Sequence, residues 1–199
     1  MTYAIVGFGK IGQALAHAFA RRGLDVVVAG RRPPEALAQQ AQAIGSTIVA
    51  TTLQEALAAD TIFLAVPFAE HRAVAGALPR WDGKTVIDAT NSLAPLAEQD
   101  GLLSSAFVAK AFSGARLVKA FNHLGATKLA SDPVVAGGHR VIFLASDDAG
   151  ALEPVAALAR RLGFAPVTLG RLAEGGALVH GRDGAWGPLI FQDLFKAAP

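Results

Sequence analysis

Tyr3-Ala4-Ile5-Val6-Gly7-Phe8-Gly9-Lys10-Ile11-Gly12 is the stretch whose reading decides the fold. Four mostly apolar residues lead into a G-x-G-x-x-G run, and Ile11, Leu15, Ala18 and Phe19 then recur at helical spacing. The order is strand, tight turn, helix, which is the dinucleotide-binding arrangement. Gly7 turns the chain off the strand, Gly9 leaves room for a pyrophosphate against the backbone, and Gly12 lets the helix pack closely on the strand. The unpaired N–H groups at the start of the helix then face the phosphates. Such a run alone is common in turns. Its place between a strand and a helix, with a second strand following, gives it weight.

That second strand is Asp25-Val26-Val27-Val28-Ala29-Gly30, reached after Arg21-Arg22-Gly23 closes the helix. Its carboxyl end selects the dinucleotide, because an acid there grips the ribose hydroxyls of NAD. Here the residues are Gly30-Arg31-Arg32, and the nearest acids are Asp25 at the other end of the strand and Glu35 beyond two prolines. Two guanidinium groups suit a 2′-phosphate, so NADP is the expected cofactor.

Further outward, strands are predicted over 47–50, 61–67, 85–91 and 116–122, with helices from Pro34, to Ala59, over 68–78 and over 104–112. Strands alternating with helices imply an α/β, Rossmann-type, doubly wound parallel sheet with helices on both faces. In such a sheet ligands lie outside the carboxyl ends of the strands. That rule collects the expected cofactor-binding residues on one rim: Gly7, Phe8, Gly9, Lys10, Ile11, Gly12, Gly30, Arg31, Arg32, Ala65, Val66, Pro67 and Asn91. Asn122 and His123 end the sixth strand and are the candidates for a part in catalysis at the acceptor.

Residues 131–199 change character and read as a small C-terminal α/β lobe for substrate and dimerisation, beside a 1–130 NADP-binding domain. The lobe comprises a loop over 134–139, a strand over 140–145, a helix over 151–162, a strand over 164–169 and an irregular helix opened by the Gly170–Gly176 turn. That turn is expected to close the acceptor cleft. The apolar tail, Trp186, Leu189, Ile190, Phe191, Leu194 and Phe195, either covers the lobe or meets a second copy, and a homodimer is expected.

With 52% hydrophobic and 17% charged residues the chain carries a sizeable core. A formal charge of +2 without a clustered basic stripe argues against a nucleic-acid partner. There is no cysteine, so disulfides and thiolate chemistry are excluded, and no His/Asp/Glu spacing matches a metal site. The chain opens on a core strand rather than a basic leader, and no apolar run has the length of a membrane span, so the expectation is a cytoplasmic protein. Of the five histidines, His17 reads as solvated and His123 as either a surface-loop or a catalytic residue, while His180 faces the cleft or a dimer contact.

Several further marks carry a resemblance. They are Ala65-Val66-Pro67, Asp88-Ala89-Thr90-Asn91, Val118-Lys119-Ala120-Phe121-Asn122, Phe143-Leu144-Ala145-Ser146-Asp147-Asp148 and Leu162-Gly163-Phe164 before Gly170-Arg171-Leu172-Ala173-Glu174-Gly175-Gly176. With the opening motif and Gly30-Arg31-Arg32, they make the chain resemble the coenzyme F420-dependent NADP oxidoreductases and the related domain of membrane ferric-chelate reductases. The resemblance implies hydride transfer between NADPH and a flat, flavin-like acceptor. It assigns Gly9, Lys10 and Ile11 to the pyrophosphate, Arg31 and Arg32 to the 2′-phosphate, and Val66 and Pro67 to the nicotinamide half. The acceptor stays open between coenzyme F420 and a related deazaflavin or flavin. Another NADPH-dependent reductase and a non-enzymatic NADP sensor are the alternatives. Hydride transfer between stacked rings needs little acid–base help, and no triad is visible.

Overall fold

The computed structural model describes residues 1–92, 102–181, 184–186 and 189–192. The first four strands are β1 (Tyr3–Val6), β2 (Val26–Ala29), β3 (Ile48–Ala50) and β4 (Thr61–Leu64), separated by helices α1 (Lys10–Arg21), α2 (Pro34–Ile44) and α3 (Leu53–Ala56). A single 3₁₀ turn, Phe68–Glu70, leads into α4 (His71–Ala75), shorter than the helix predicted over 68–78. There follow β5 (Thr85–Asp88), α5 (Ser104–Ala111), β6 (Arg116–Ala120), α6 (Ala126–Ala130), β7 (Val134–Val135), β8 (Gly138–His139), β9 (Val141–Ala145), α7 (Ala149–Arg161), β10 (Ala165–Thr168) and α8 (Gly175–Leu178).

Eight strands form one sheet in the order β10-β9-β6-β5-β4-β1-β2-β3. The reversal of order beside β1 is the switch point at which a doubly wound sheet opens its crevice. β4 and β5 are buried throughout, as strands covered on both faces must be. One apolar layer sets Phe19, Phe63, Phe121 and Phe164 in successive edge-on contacts between the sheet and α1 and α7. The other packs Leu64, Val86, Trp81 and Phe112 on the opposite face. Among the described residues, no helix is long and apolar enough to cross a membrane.

The predicted parallel pattern holds from β3 to β6 and breaks at β9, which pairs with β6 in antiparallel register, Lys119 opposite Ala145. The cause lies in the connection. α6 has five residues, so it advances the chain only about 7 Å along its axis, against roughly 16 Å for a five-residue strand. It packs on α1 and does not carry the chain back to the far edge of the sheet. The predicted loop over 134–139 is a small hairpin, turning through Ala136 and Gly137 at φ 48° and 84°. β9 and β10 are parallel to one another and extend the main sheet, while β7 and β8 form a separate two-stranded sheet.

Candidate functional site

The loop from β1 to α1 is shaped by contacts that admit no side chain. Gly7 has φ 101° and donates its N–H to the Ala29 carbonyl at 2.8 Å, and a Cβ there would lie 2.4 Å from the Ala65 oxygen. A Cβ on Gly12 would lie 1.8 Å from the Gly7 oxygen. A Cβ on Gly9 would meet nothing within 4 Å, so that glycine borders open space. Gly9 is also the N-cap of α1 and brings no side chain to the helix N–H groups. The first helical bond runs from the Gln13 N–H to the Gly9 carbonyl, at 2.9 Å. The N–H groups of Lys10, Ile11 and Gly12 precede it and carry the positive end of the helix dipole.

This loop forms one wall of a cavity of about 500 Å³. Gly7, Phe8, Gly9, Gly30, Arg31, Arg32, Ala65, Val66 and Pro67 all line it. Phe8 is otherwise a core residue, 6% exposed. Arg31 and Arg32 are exposed. Arg32 donates to Gln40 Oε1 at 3.0 Å, and Arg31 has no hydrogen bond or ion pair among the described residues. Leu37, Leu53, Glu70, Ala73 and Val74 complete the lining. Sequence reading missed these five, because they come from α2, α3 and the segment over 68–75, and only the fold brings these to one cavity. Val66 and Pro67, assigned to the nicotinamide half on resemblance, stand in the same cavity as the arginine pair.

Asn91, Asn122 and His123 lie outside that cavity. The two asparagines are joined: Asn91 Nδ2 donates to the Asn122 carbonyl at 2.7 Å, and Asn122 Nδ2 donates to Asn91 Oδ1 at 3.1 Å and to the Val179 carbonyl at 2.8 Å. Asn122 Oδ1 is buried without a partner. Phe121, just before it, takes φ 61°, an unusual backbone for a buried aromatic residue. His123 is no surface-loop histidine. It is 8% exposed, tilted against Phe143 at 5.1 Å between ring centroids. Burial pushes its pKa down to about 4, opposed by a smaller effect of the Val141 backbone, so the ring is neutral at pH 7. His180 is buried as well, and His17 is exposed as predicted.

The Gly170–Gly176 turn does not close this part of the rim. Gly170 is tied to Ser146, whose hydroxyl bonds Leu117 near the start of β6. The segment that reaches the rim is Val179–Gly181; a Cβ on Gly181 would lie 2.6 Å from the Asn91 side chain. Beneath it, Lys119 and Asp88 form a buried ion pair at 3.0 Å. Of the apolar tail, Trp186 and Phe191 pack on Phe143, at 5.4 and 5.1 Å between ring centroids, while Leu189 and Ile190 are exposed. Leu194 and Phe195 lie outside the described residues. No group of metal-ligating side chains occurs among the described residues.

A profile of the family described as NADP oxidoreductase, coenzyme F420-dependent, matches residues 2–92. The solved structure of the hypothetical protein SMa0349 from Sinorhizobium meliloti is 37% identical, with a TM-score of 0.90 over 97% of this chain and 96% of that one. A structure from Arthrobacter sp. FB24, assigned as an F420-dependent NADP-reductase, is 25% identical, with a TM-score of 0.73 over 86% of each chain. Residues 2–92 carry the mark of this family. The family so matched is one of NADP oxidoreductases, with NADP(H) as cofactor. Rat Metalloreductase STEAP3 is 28% identical over 171 residues, which are 85% of this chain and 34% of that protein. The chain thus spans about a third of the length of the curated metalloreductases it matches. A reductive aminase from Aspergillus terreus, solved with NADPH, shares the fold at 22% identity and a TM-score of 0.64, over 89% of this chain and 57% of that one. The site fits the cofactor on its own terms: a close-approach glycine wall, uncapped helix N–H groups and two guanidinium groups at the end of β2 that form no ion pair among the described residues, although Glu70 lines the same cavity.

Proposed function

We propose that this protein transfers hydride between NADPH and a flat, flavin-like acceptor, coenzyme F420 or a related deazaflavin or flavin, seated beside the Asn91–Asn122 contact. The observation that carries the reading is the separation of two neighbouring surfaces. One is a cavity with cationic and backbone donors. The other is a rim of neutral polar groups, with His123 held uncharged and Asn122 Oδ1 without a partner.

On this reading the N–H groups of Lys10, Ile11 and Gly12 hold the pyrophosphate. Arg31 and Arg32 hold the 2′-phosphate, and Gly7, Phe8, Gly9, Gly30, Ala65, Val66 and Pro67 form the walls. Asn91 and Asn122 hold the polar edge of the acceptor. His123 donates or accepts without adding a charge to compete with a neutral ring. When bound, the nicotinamide supplies or takes up the hydride; the chain supplies position and exclusion of water. Residues 131–199 serve the acceptor side through Val179–Gly181 and provide Leu189 and Ile190 to a homodimer contact. Light scattering at micromolar concentration checks the dimer, and a monomeric mass refutes it.

The deciding experiment follows NADPH absorbance with coenzyme F420, FMN, FAD, riboflavin and ferric chelates. The chelates are included because the STEAP relatives are metalloreductases. Oxidation with at least one flavin-like acceptor is expected. Tight NADPH binding with no turnover on any of them replaces this reading with a sensor.

A further inference from the structure

Asp88 and Lys119 stand opposite each other in the register of β5 and β6, 0% and 2% exposed. Lys119 Nζ donates to Asp88 Oδ2 at 3.0 Å and also to the Thr90 carbonyl. The other carboxylate oxygen of Asp88 accepts from the Thr90 amide at 2.9 Å and from the Thr90 hydroxyl at 2.7 Å. The amide, hydroxyl and carbonyl of Thr90 are therefore all held by one buried pair. Asn91 is the next residue, and its side chain joins Asn122, which in turn reaches Val179. A continuous polar chain runs from the interior of the sheet to the rim.

Stability alone is a poor reason for this pair. Taking two charges out of water costs several kcal/mol each, and apolar residues of similar volume commonly do as well or better. An apolar pair has no means of holding an N–H, an O–H and a C=O at the end of a strand. Without those partners Thr90 would be buried with unsatisfied groups, and the turn after β5 would have no single preferred course.

We propose that Lys119 and Asp88 are positioning residues whose buried ion pair clamps Thr90 and thereby sets the Asn91–Asn122 contact on the acceptor side of the rim. The inference rests on the reading of that rim as the acceptor site, and the clamp itself can be tested without it.

The test compares the full-length protein with the Asp88→Leu/Lys119→Met double variant in three measurements. These are thermal melting, hydrogen exchange of residues 87–92 and 121–124, and NADPH affinity by fluorescence. Melting is expected to fall by several degrees while the variant stays folded, because Thr90 loses its partners but the unpaired charge of a single variant is avoided. Rim amides are expected to exchange at least about tenfold faster, with the exchange of β1 unchanged. NADPH affinity is expected to stay within about threefold, since the cavity is built elsewhere. If FMN is turned over by the wild type, its KM rises and kcat falls in the variant. Unchanged rim exchange in a well-folded double variant overturns the clamp. A wild type inactive with every acceptor overturns the functional reading and leaves the exchange result to judge the clamp. Should the double variant not fold, Thr90→Val removes only the hydroxyl bond. It is then expected to raise rim exchange about fivefold, and no rise overturns the proposal.

Discussion

At the ends of β1 and β2 the rim is made mainly of backbone, with the Arg31 and Arg32 side chains beside it: Gly7 and Gly12, too crowded for a Cβ, and helix N–H groups that no side chain caps. At the ends of β5 and β6 it is made of side chains: a buried lysine–aspartate pair, a bonded pair of asparagines and a desolvated histidine. Backbone donors are fixed by the helix they belong to. They tolerate almost any neighbour that leaves the chain room, and they suit a ligand common to many enzymes. Side-chain networks hold only while every member is satisfied, and they suit what differs from one enzyme to the next. The comparison teaches where substitution should be catastrophic, where selective and where silent.

The largest effect belongs to the backbone side. Gly12→Ala places a methyl group 1.8 Å from a carbonyl oxygen that has nowhere to go. A loss of about 3 kcal/mol is expected, with a melting temperature lower by about 6–12 °C and NADPH binding lost with the loop. A variant that melts and binds like wild type would break the comparison at its first term.

On the side-chain side, His123 should make the protein acid-sensitive. Its pKa is about 4 when folded, against an ordinary 6.5. Above pH 6.5 the ring is neutral in both states and contributes no pH dependence. Between about 6.5 and 4 only the unfolded chain takes up the proton, so stability falls as pH drops through that window, by about 3 kcal/mol in all. Denaturant melts against pH should show this slope in wild type and a flatter one in His123→Leu. Equal slopes would mean that the ring is not held neutral.

Cofactor choice comes next. An Arg–phosphate contact is worth roughly 1.5–3 kcal/mol net, so Arg31→Ala should weaken NADPH binding about ten- to a hundredfold and leave NADH nearly unchanged. Equal losses for both would sink the 2′-phosphate assignment. The smallest change is expected at Lys10, exposed at the first position of α1. On the proposed reading its N–H rather than its ammonium group serves the cradle, and Lys10→Ala should alter NADPH affinity by no more than about threefold. A larger loss would move the side chain into the site and blur the contrast.

The same division explains what could be read from the chain. Gly7 to Gly12, Gly30 and the two arginines announce themselves because strand, turn and helix are contiguous and each glycine answers a local steric demand. The alternation of elements as far as β6 follows from apolar runs such as Ile62-Phe63-Leu64, which fit strands buried on both faces. The acceptor side depends on contacts between residues far apart. Asn122 meets Val179 across 57 residues, and Lys119 meets Asp88 across 31. No spacing rule reports such pairs. α6 escaped prediction because five residues show no helical period, and with it went the antiparallel turn of β9. His123 looks like a loop histidine beside Asn122 and Gly125; Phe143, whose ring packs on it, and Val141, whose backbone acts on its ring, come from β9.

The central claim is that the cofactor and the acceptor are held by separate structures on one rim, and Asn122→Leu tests it most directly. NADPH dissociation constant and NADPH oxidation with the acceptor used by the wild type should be measured on the same preparation. The account predicts a dissociation constant within about threefold of wild type and turnover lower by about a hundredfold, as misplacement of a reacting ring requires. Wild-type turnover with every accepted acceptor, or a loss of NADPH binding as large as the loss of turnover, would contradict it.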